Sequence, residues 1–287
     1  MKKITAALFI IISLFCLCSC NLGDIKIGIY APYWNFWNYS SSSSFTYDAS
    51  EIKKVDITWI SGEIEVVAVD GTELTVTETS DSLSNDAKMH YYIKDDKLTI
   101  HYSKAMLKED INPEQKHLRV EIPSGIELDI DSVNADVKIG DMVLGEMKLT
   151  TVAGNLEFGN VIASEIKTET VDGDFFAADI VADKFTSDSV SGAVCISKIS
   201  ANEIKVKTVS GKTDMYIAKK SEVTISGVSG EVALAIADDV GATIEFSTMS
   251  GTFSSDMPHK TSNKTYTFGQ GEIQISVDTV SGNLNIS

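Results

Sequence analysis

The chain is poor in proline, in aromatic residues and in positive charge. Only 4 of its 287 residues are proline and 8% are aromatic, whereas 43% are apolar. These proportions exclude a disordered or collagen-like chain, and the length allows one large domain or two small ones. With 24 basic against 41 acidic residues, the formal net charge is −17. We expect no nucleic acid partner, because a polyanion would be repelled.

The amino terminus has the pattern of a secretion signal. Lys2 and Lys3 precede an apolar run over residues 6–17, which is too short to span a bilayer comfortably. The run ends Leu17-Cys18-Ser19-Cys20, which resembles a bacterial lipobox, where a small residue precedes the cysteine that receives a diacylglycerol. The motif predicts a lipoprotein signal peptide over residues 1–19 and a membrane anchor on Cys20. An ordinary secreted protein and a retained signal anchor are the alternatives.

Cysteine is too scarce for a disulfide framework. Three of the four cysteines are Cys16, Cys18 and Cys20, and the fourth is Cys195. Removal of the signal and acylation of Cys20 would leave Cys195 as the only free thiol. No disulfide is then possible within one mature chain.

Residues 20–48 are predicted to form a tether. Five consecutive serines occupy residues 40–44, a composition typical of a flexible linker. The rings before them could form a strand or turn on the domain, sit at the lipid interface, or offer a platform for a glycan. These residues are Tyr30, Tyr33, Trp34, Phe36, Trp37 and Tyr39.

A repeat of 19 residues dominates the second half of the chain. Each unit resembles Thr-Val-Ser-Gly followed by any residue and an apolar one, and five glycines follow one another at this interval: Gly154, Gly173, Gly192, Gly211 and Gly230. The same unit occurs one period earlier with Ala135 at the glycine position, and later at Gly251 and Gly282 after longer steps. The segment Trp59-Ile-Ser-Gly62 is a divergent copy.

Apolar residues alternate after each glycine, as in a strand with one buried face. They occupy the second and fourth positions, as Leu156 and Phe158 do, and return at positions seven, nine, twelve and seventeen. Because 19 residues bring each side chain back to the same place, the coils should stack as parallel strands about 4.8 Å apart. We predict an all-β fold, a right-handed parallel β-helix or β-solenoid with 19-residue coils over residues 131–287.

Two residues of the unit receive structural roles. The glycine is expected at a corner that needs positive φ, at Gly154, Gly173, Gly192, Gly211, Gly230, Gly251 and Gly282. The valine two residues before it, at position seventeen, is expected inside. The threonine before that valine is expected outside, in a ladder of hydroxyl contacts between coils. Its members are Thr151, Thr170, Thr208, Thr248 and Thr279.

Residues 49–130 are less periodic and are predicted to form an amino-terminal β cap with the first repeats. Strand-like stretches lie at residues 54–69, 74–79, 90–93, 97–101 and 117–122. Such a cap would cover the edge of the first coil and prevent it from pairing with another chain. At the other end, the insertion over residues 254–270 is predicted to fold over the last coil.

The repeat unit and its flanks resemble a known family. The segment Arg119-Val-Glu-Ile-Pro123 and the ending Thr279-Val-Ser-Gly282-Asn-Leu-Asn-Ile complete a set that is similar to the bacterial putative-adhesin family of β-strand-repeat domains of unknown function. The resemblance covers residues 45–287. It implies a β-helical fold and an envelope location, and it supplies no catalytic residues. Ala135, Asp172 in place of serine, and the long step from Gly251 to Gly282 depart from the pattern.

The sequence offers no convincing metal or cofactor site. The four histidines, His90, His101, His117 and His259, lack the spacing of zinc ligands. One outward position stacks Glu146, Glu165, Lys184, Glu203 and Glu222, and another stacks Lys148, Lys167, Thr186 and Lys205. Like charges one coil apart in water repel by about 0.9 kcal/mol, so mixed signs indicate a solvated face. Calcium bridging of Glu146 with Glu165, or of Glu203 with Glu222, is the alternative.

One outward position carries an apolar pair, Phe176 and Cys195. The whole position reads Lys138, Glu157, Phe176, Cys195, Asp214, Ala233 and lacks the convergent acid and base of a glycan-processing enzyme. The pair could be covered by a loop, contact a partner, or hold a reactive thiol.

Three functional hypotheses follow. The first is a non-catalytic, lipid-anchored module of the bacterial cell envelope facing outside the cytoplasm, an adhesin or structural rod that binds an unknown protein or glycan. The second is an envelope-stress accessory that binds a membrane sensor. The third, and weakest, is a glycan-processing enzyme.

Overall fold

The computed structural model describes residues 39–81, 83, 87–103 and 115–287, and within these ranges the chain is built of strands. The described part contains one short 3-10 helix, Ala49–Glu51, and no α-helix. The strands are β1 Ser40–Ser41, β2 Ser44–Asp48, β3 Lys54–Val69, β4 Glu73–Thr79, β5 His90–Lys94, β6 Lys97–His101, β7 Lys116–Pro123, β8 Glu127–Ile139, β9 Met142–Val143, β10 Glu146–Ala153, β11 Leu156–Asp172, β12 Phe175–Ser191, β13 Val194–Ser210, β14 Thr213–Ile217, β15 Glu222–Ser229, β16 Glu231–Ile236, β17 Ala242–Ser247, β18 Phe253–Ser255, β19 Lys260–Ser262, β20 Thr265–Phe268, β21 Ile273–Thr279 and β22 Asn283–Ile286.

In the middle of the molecule, successive strands run parallel and pair residues that are 19 positions apart. β11 pairs with β12 from Leu156–Phe175 to Asp172–Ser191, and β12 pairs with β13 at the same offset. Each of these 17-residue strands follows most of its own coil and keeps the same offset along its length. The prediction of an all-β solenoid with 19-residue coils is therefore confirmed.

The core is a set of columns of apolar side chains along the axis of the stack. In each coil, the positions two, four, seven, nine and twelve residues after the glycine point inward, and the corresponding residues of neighbouring coils pack against one another. For the coil that follows Gly173 these residues are Phe175, Ala177, Ile180, Ala182 and Phe185, all at most 6% exposed.

In the regular middle, the threonine and valine of the repeat lie on the opposite sides from those predicted. Thr151, Thr170, Ser189 and Thr208 are buried, with exposures of 0–5%, whereas the adjacent valine, Val171 for example, is only half-buried. Thr248 and Thr279 are half-buried instead, and their hydroxyls bond between coils at 3.2 Å, as the predicted ladder requires. The alternation continues from inward Ile166 through Thr168 to Thr170, so Val171 points outward. Val171 was predicted inside because it is apolar, whereas the alternation that starts at position twelve places positions fourteen and sixteen inside.

The glycine of the repeat is required by close approach rather than by φ alone. Gly154, Gly192 and Gly230 have φ of 125°, 134° and 145°, but Gly173 and Gly211 between them do not have positive φ. The prediction of positive φ at every corner was therefore wrong. At each of the five positions an added Cβ would approach within 3.0 Å of the carbonyl oxygen of the corresponding residue one coil earlier. These five corners admit no side chain, whereas Ala135 occupies the same register position opposite Gly62.

The serine of the repeat bonds to the backbone of the coil before it. The hydroxyl of Ser191 donates to the carbonyl of Val171 at 3.3 Å, and Ser281 donates to Val228 at 3.3 Å. Ser210 and Ser229 make the same bond at 3.5 Å. These hydroxyls satisfy carbonyls at the irregular corner. The Val-Ser-Gly motif thus combines an outward side chain, a bond between coils and a corner without a side chain.

The residue after the glycine forms a second ladder of bonds between coils. A side-chain oxygen of Asp136 accepts from the backbone N–H of Asn155 at 2.8 Å, and Asn155 accepts from Asp174 at 3.1 Å. Asp174 accepts from Ala193 at 2.7 Å. Each short polar side chain satisfies the N–H that the turning strand leaves unpaired.

The amino-terminal unit interleaves with the first coil instead of simply preceding it. β3 pairs in parallel with β6 and β7 on one side and with β8 on the other. Gly62 lies opposite Ala135, so the divergent copy is in register with the regular repeat. Antiparallel strands complete the cap, since β4 pairs with β7 and β5 pairs with β6. All five strand-like stretches predicted in this region are present.

The serine run is part of this cap rather than a flexible tether. Ser40–Ser41 pairs with β5, and Ser44–Asp48 pairs with β4, both antiparallel. Unpaired backbone groups at the edges of β4 and β5 recruit this polar segment, which its composition alone did not indicate. The signal peptide, Cys20 and the rest of the predicted tether lie outside the described residues.

A buried ion pair holds the cap together. Lys116 and Glu78 have fully buried side chains, with Nζ 2.8 Å from Oε1. The ammonium also donates to the carbonyl of Tyr102 at 2.6 Å, and the other oxygen of Glu78 accepts from the N–H of Met89 at 2.9 Å. Four separate segments converge on this pair, so both charges are compensated by hydrogen bonds.

The last coils stack in an order that differs from the sequence. β15 and β16 pair with β21 and β22, which in turn pair with β17 and β18. Gly282 therefore lies between Gly230 and Gly251. The insertion behaves as predicted, since β20 pairs antiparallel with β17 and covers the end of the stack.

The close approach at the corner predicts a large cost for one added methyl group. Gly211→Ala would place Cβ within 3.0 Å of the carbonyl oxygen of Gly192. We expect a loss of about 3 kcal/mol in the free energy of unfolding, measured by chemical denaturation. Gly227→Ala is the matched control, because there Cβ meets its nearest atom at 3.4 Å and φ is not positive. Equal stability of the two variants would contradict this account of the corner.

Candidate contact surface

The outward pair predicted from the sequence is present and adjacent. Phe176 and Cys195 are register partners on β12 and β13. Phe176 is 45% exposed and Cys195 is partly exposed. The strands position both side chains, because Phe175 and Val194 before them point into the core. The suggestion that a loop covers this pair is not supported by the described part of the chain.

A shallow depression of about 460 Å³ surrounds the pair. Glu157 and Asp214 line it one coil before Phe176 and one coil after Cys195, and Ser197 contributes a hydroxyl. Asp214 is held by the ammonium of Lys212 at 2.6 Å. An exposed ring between two carboxylates can pack against an apolar surface while the carboxylates accept hydrogen bonds at its rim.

The thiol at this site is not an activated nucleophile. Burial raises the pKa of Cys195, and the nearby carboxylate of Asp214 raises it further. Lys212 opposes these effects without overcoming them. Because the thiolate is the reactive form, Cys195 is expected to behave as a small apolar side chain.

The charged columns occupy the outer face as predicted. Glu146, Glu165, Lys184, Glu203 and Glu222 follow one another in register. Nζ of Lys184 lies 2.9 Å from Glu165, and Lys205 pairs with Glu203. Within the described ranges, no group of three or more histidine, cysteine or acidic side chains is arranged to hold a metal ion.

The cap brings two of the histidines together. His90 and His101 are cross-strand partners in the β5–β6 hairpin, and Tyr39 Oη lies 3.3 Å from Nε2 of His101. Burial lowers the pKa of His101. The charged turn between residues 94 and 97 could have indicated this hairpin and hence the pairing of the histidines.

Two apolar columns on the outside were not predicted. Val143, Ile162 and Val181 lie in register on three consecutive coils and are 38–46% exposed. The valines of the Val-Ser-Gly motif form the other column, which ends at Val280, 40% exposed, and Met249, 85% exposed. A period-two count could have identified the first column, whereas the second was assigned to the core.

Two carboxyl groups have perturbed surroundings: Asp188 on β12 is buried, and Asp131 on β8 is half-buried. Burial is the main cause that raises the pKa of both Asp131 and Asp188. Lys148 opposes it at Asp131, and Lys207 opposes it at Asp188. Glu169, the register partner of Asp188, raises its pKa further. Because the ionised form is disfavoured in the fold, Asp188 destabilises the protein at neutral pH.

The coils, the glycine corner and the outward columns define a parallel β-solenoid with a 19-residue repeat. The chain belongs to the Toastrack family, DUF4097, whose model matches residues 52–287. This match confirms the resemblance inferred from the repeat unit and its flanks.

Comparison with solved structures finds matches at low sequence identity. A putative adhesin from Bacteroides fragilis NCTC 9343 is 13% identical, with 84% of this chain and 95% of that chain covered and a TM-score of 0.46. A putative adhesin from Parabacteroides distasonis ATCC 8503 is 11% identical, with 87% and 97% covered and a TM-score of 0.45. A putative lipid binding protein from the same strain is 13% identical, with 87% and 97% covered and a TM-score of 0.40.

A search of curated proteins finds no match to this chain. None of the described residues belongs to a helix of the length and apolarity needed to cross a membrane.

Because the pKa of Asp188 is raised, we expect that replacing its carboxylate by a neutral side chain stabilises the protein by an amount that depends on pH. Asp188→Asn should raise the melting temperature at pH 7, where the wild-type carboxylate is ionised at a cost. The gain should shrink as the pH falls through the raised pKa, because the wild-type side chain then becomes neutral as well. Thermal melts from pH 7 to pH 4 test this, with the exposed Asp239→Asn as control. A gain that stays constant with pH would refute the argument.

Proposed function

We propose that this chain is a non-catalytic, lipid-anchored interaction module of the bacterial cell envelope, facing outside the cytoplasm. Its anchor is Cys20, and its contact region is the depression around Phe176 and Cys195. The ligand is a protein or glycan of the cell surface or its surroundings. The observation that carries the proposal is the exposed Phe176 ring, 45% accessible, on an otherwise continuous parallel sheet.

The physical basis is the position of an apolar ring where the fold does not need one. Three positions of the same outward column are charged, namely Lys138, Glu157 and Asp214, and the other two hold the smaller Cys195 and Ala233. A phenylalanine in such a column leaves its apolar area in contact with water unless a partner covers it. Strands on both sides hold the ring in place, so little conformational entropy is lost when a partner binds.

The same surface is poorly suited to catalysis. A hydrolytic site needs an acid and a base that converge on one bond. Here Glu157 and Asp214 are separated by the two coils that carry Phe176 and Cys195, and the thiol between them has a raised pKa. This arrangement supports recognition by contact and rim hydrogen bonds.

The anchor is tested by replacement of Cys20. Cys20→Ala should move the protein from the membrane fraction to the soluble fraction, because a thiol is required to receive the lipid. Cys18→Ala, two residues away, is the matched control and should stay with the membrane. Membrane association that survives Cys20→Ala would contradict the lipid anchor, whatever the outcome at the contact region.

The contact region is tested by placing a charge on the ring position. Phe176→Asp should weaken binding at least about tenfold, as expected for loss of a central aromatic contact. The readouts are capture of surface proteins from envelope extract and binding to arrayed glycans, which also distinguish the two ligand classes. Ile162→Asp is the matched control, since this residue is 46% exposed on another outward column. Equal binding by both variants and the wild type would refute the contact region.

A further inference from the structure

The coil formed by β21 and β22 occupies a slot between two coils that precede it in the sequence. β21 pairs in parallel with β15 on one side and with β17 on the other. β22 pairs in the same way with β16 and β18. The slot is therefore one strand wide and is lined on both sides by the backbone groups of parallel strands.

Side chains on both walls of the slot match the inserted coil. Ile275 lies between Val223 and Ile244, and all three are nearly inaccessible to water. Leu284 lies between Val232 and Phe253. The slot thus fits an extended segment with aliphatic residues at alternate positions. As in strand addition to a sheet edge, backbone hydrogen bonds hold the segment and the alternate side chains determine its register.

The two walls are also compatible with one another. Val223 and Ile244 share one column, as do Val232 and Phe253, because each pair flanks the same residue of the inserted coil. Gly230 and Gly251 are 21 residues apart, close to the 19 residues of the regular repeat. Both walls thus present the same pattern of inward side chains to the inserted coil.

The connection into the slot is a short glycine turn. Gly269 and Gly271 have φ of 55° and 74°, and Gln270 between them is exposed. Glycine at these positions allows the backbone to adopt other conformations with little strain. Short connections of this kind are where identical elements exchange between copies of one chain.

We propose that the slot is a strand-exchange site for a second copy of this chain. The coil of residues 273–286 from one copy occupies the slot of another, with the same registers that the structure shows within one copy. The product is a pair of rods joined at the end farthest from the amino-terminal cap. This proposal is independent of the contact region around Phe176.

Single cysteines on the two sides of the slot test the exchange. Thr224 and Ser276 are register partners, both partly exposed, and neighbouring strands lie within the Cα separation that a disulfide accepts. One chain carries Thr224→Cys and the other Ser276→Cys, with the four native cysteines replaced by serine in both. After mixing under mildly destabilising conditions and oxidation with diamide, we expect a disulfide-linked heterodimer whose yield rises with protein concentration.

The double variant Thr224→Cys with Ser276→Cys shows whether the pair can bond when the coil is in its own slot. An internal disulfide in the double variant with no heterodimer in the mixture would overturn the proposal. Thr186→Cys mixed with Lys205→Cys, register partners in the uninterrupted middle, is the matched control. Exchange at the slot predicts at least about a tenfold lower yield for this control, and equal yields would show general unfolding instead.

A peptide provides a second measurement that needs no cysteine. A fluorescent peptide of residues 272–287 should bind the full chain and raise its fluorescence anisotropy. The same peptide with Ile275→Asp and Val277→Asp should not bind, because both residues are buried in the slot. Equal binding of the two peptides, or binding of neither, would count against exchange.

Discussion

The close approach of backbone to backbone at the glycine corner is the contact on which the solenoid depends. There the carbonyl of one coil occupies the space that a side chain of the next would need. The serine hydroxyls bond to neighbouring coils at this corner, and so do the side chains of Asp136, Asn155 and Asp174. Once successive corners are joined, every other residue of the coil returns to its own column. The core columns and the outer columns both follow from this one constraint.

The repeat could be predicted from the sequence because glycine spacing and aliphatic alternation report the same 19-residue circuit. Residues such as Phe175 and Ile180 were therefore assigned to the core correctly. Thr170 and Val171 were assigned to the wrong sides because Val171 is apolar, although the alternation from Ile166 through Thr168 places Thr170 inside. The order Gly230, Gly282, Gly251 could not be predicted, since all three units carry similar motifs. Only the pairing of distant strands decides among them.

The 19-residue repeat also made part of the candidate surface predictable. Phe176 and Cys195 lie in the regular middle, where position in the repeat defines both the face and the neighbours. The histidine pair and the buried ion pair lie in the cap, where pairing joins segments without a common period. The burial of Lys116 could not be predicted from the sequence. Its partner Glu78 and the carbonyl of Tyr102, which accepts from its ammonium, come from separate segments. Long-range pairing, rather than local composition, determines these contacts.

Because the ends differ from the uniform middle, the length of the stack can change independently of the structure of its ends. Each 19-residue unit pairs with its neighbours through identical registers, and neither end of the stack takes part in those bonds. Gain or loss of one unit would therefore change the height of the rod by one strand spacing, about 4.8 Å, and leave its ends unaltered. Duplication or deletion of whole units would therefore change the distance between the two ends in equal steps.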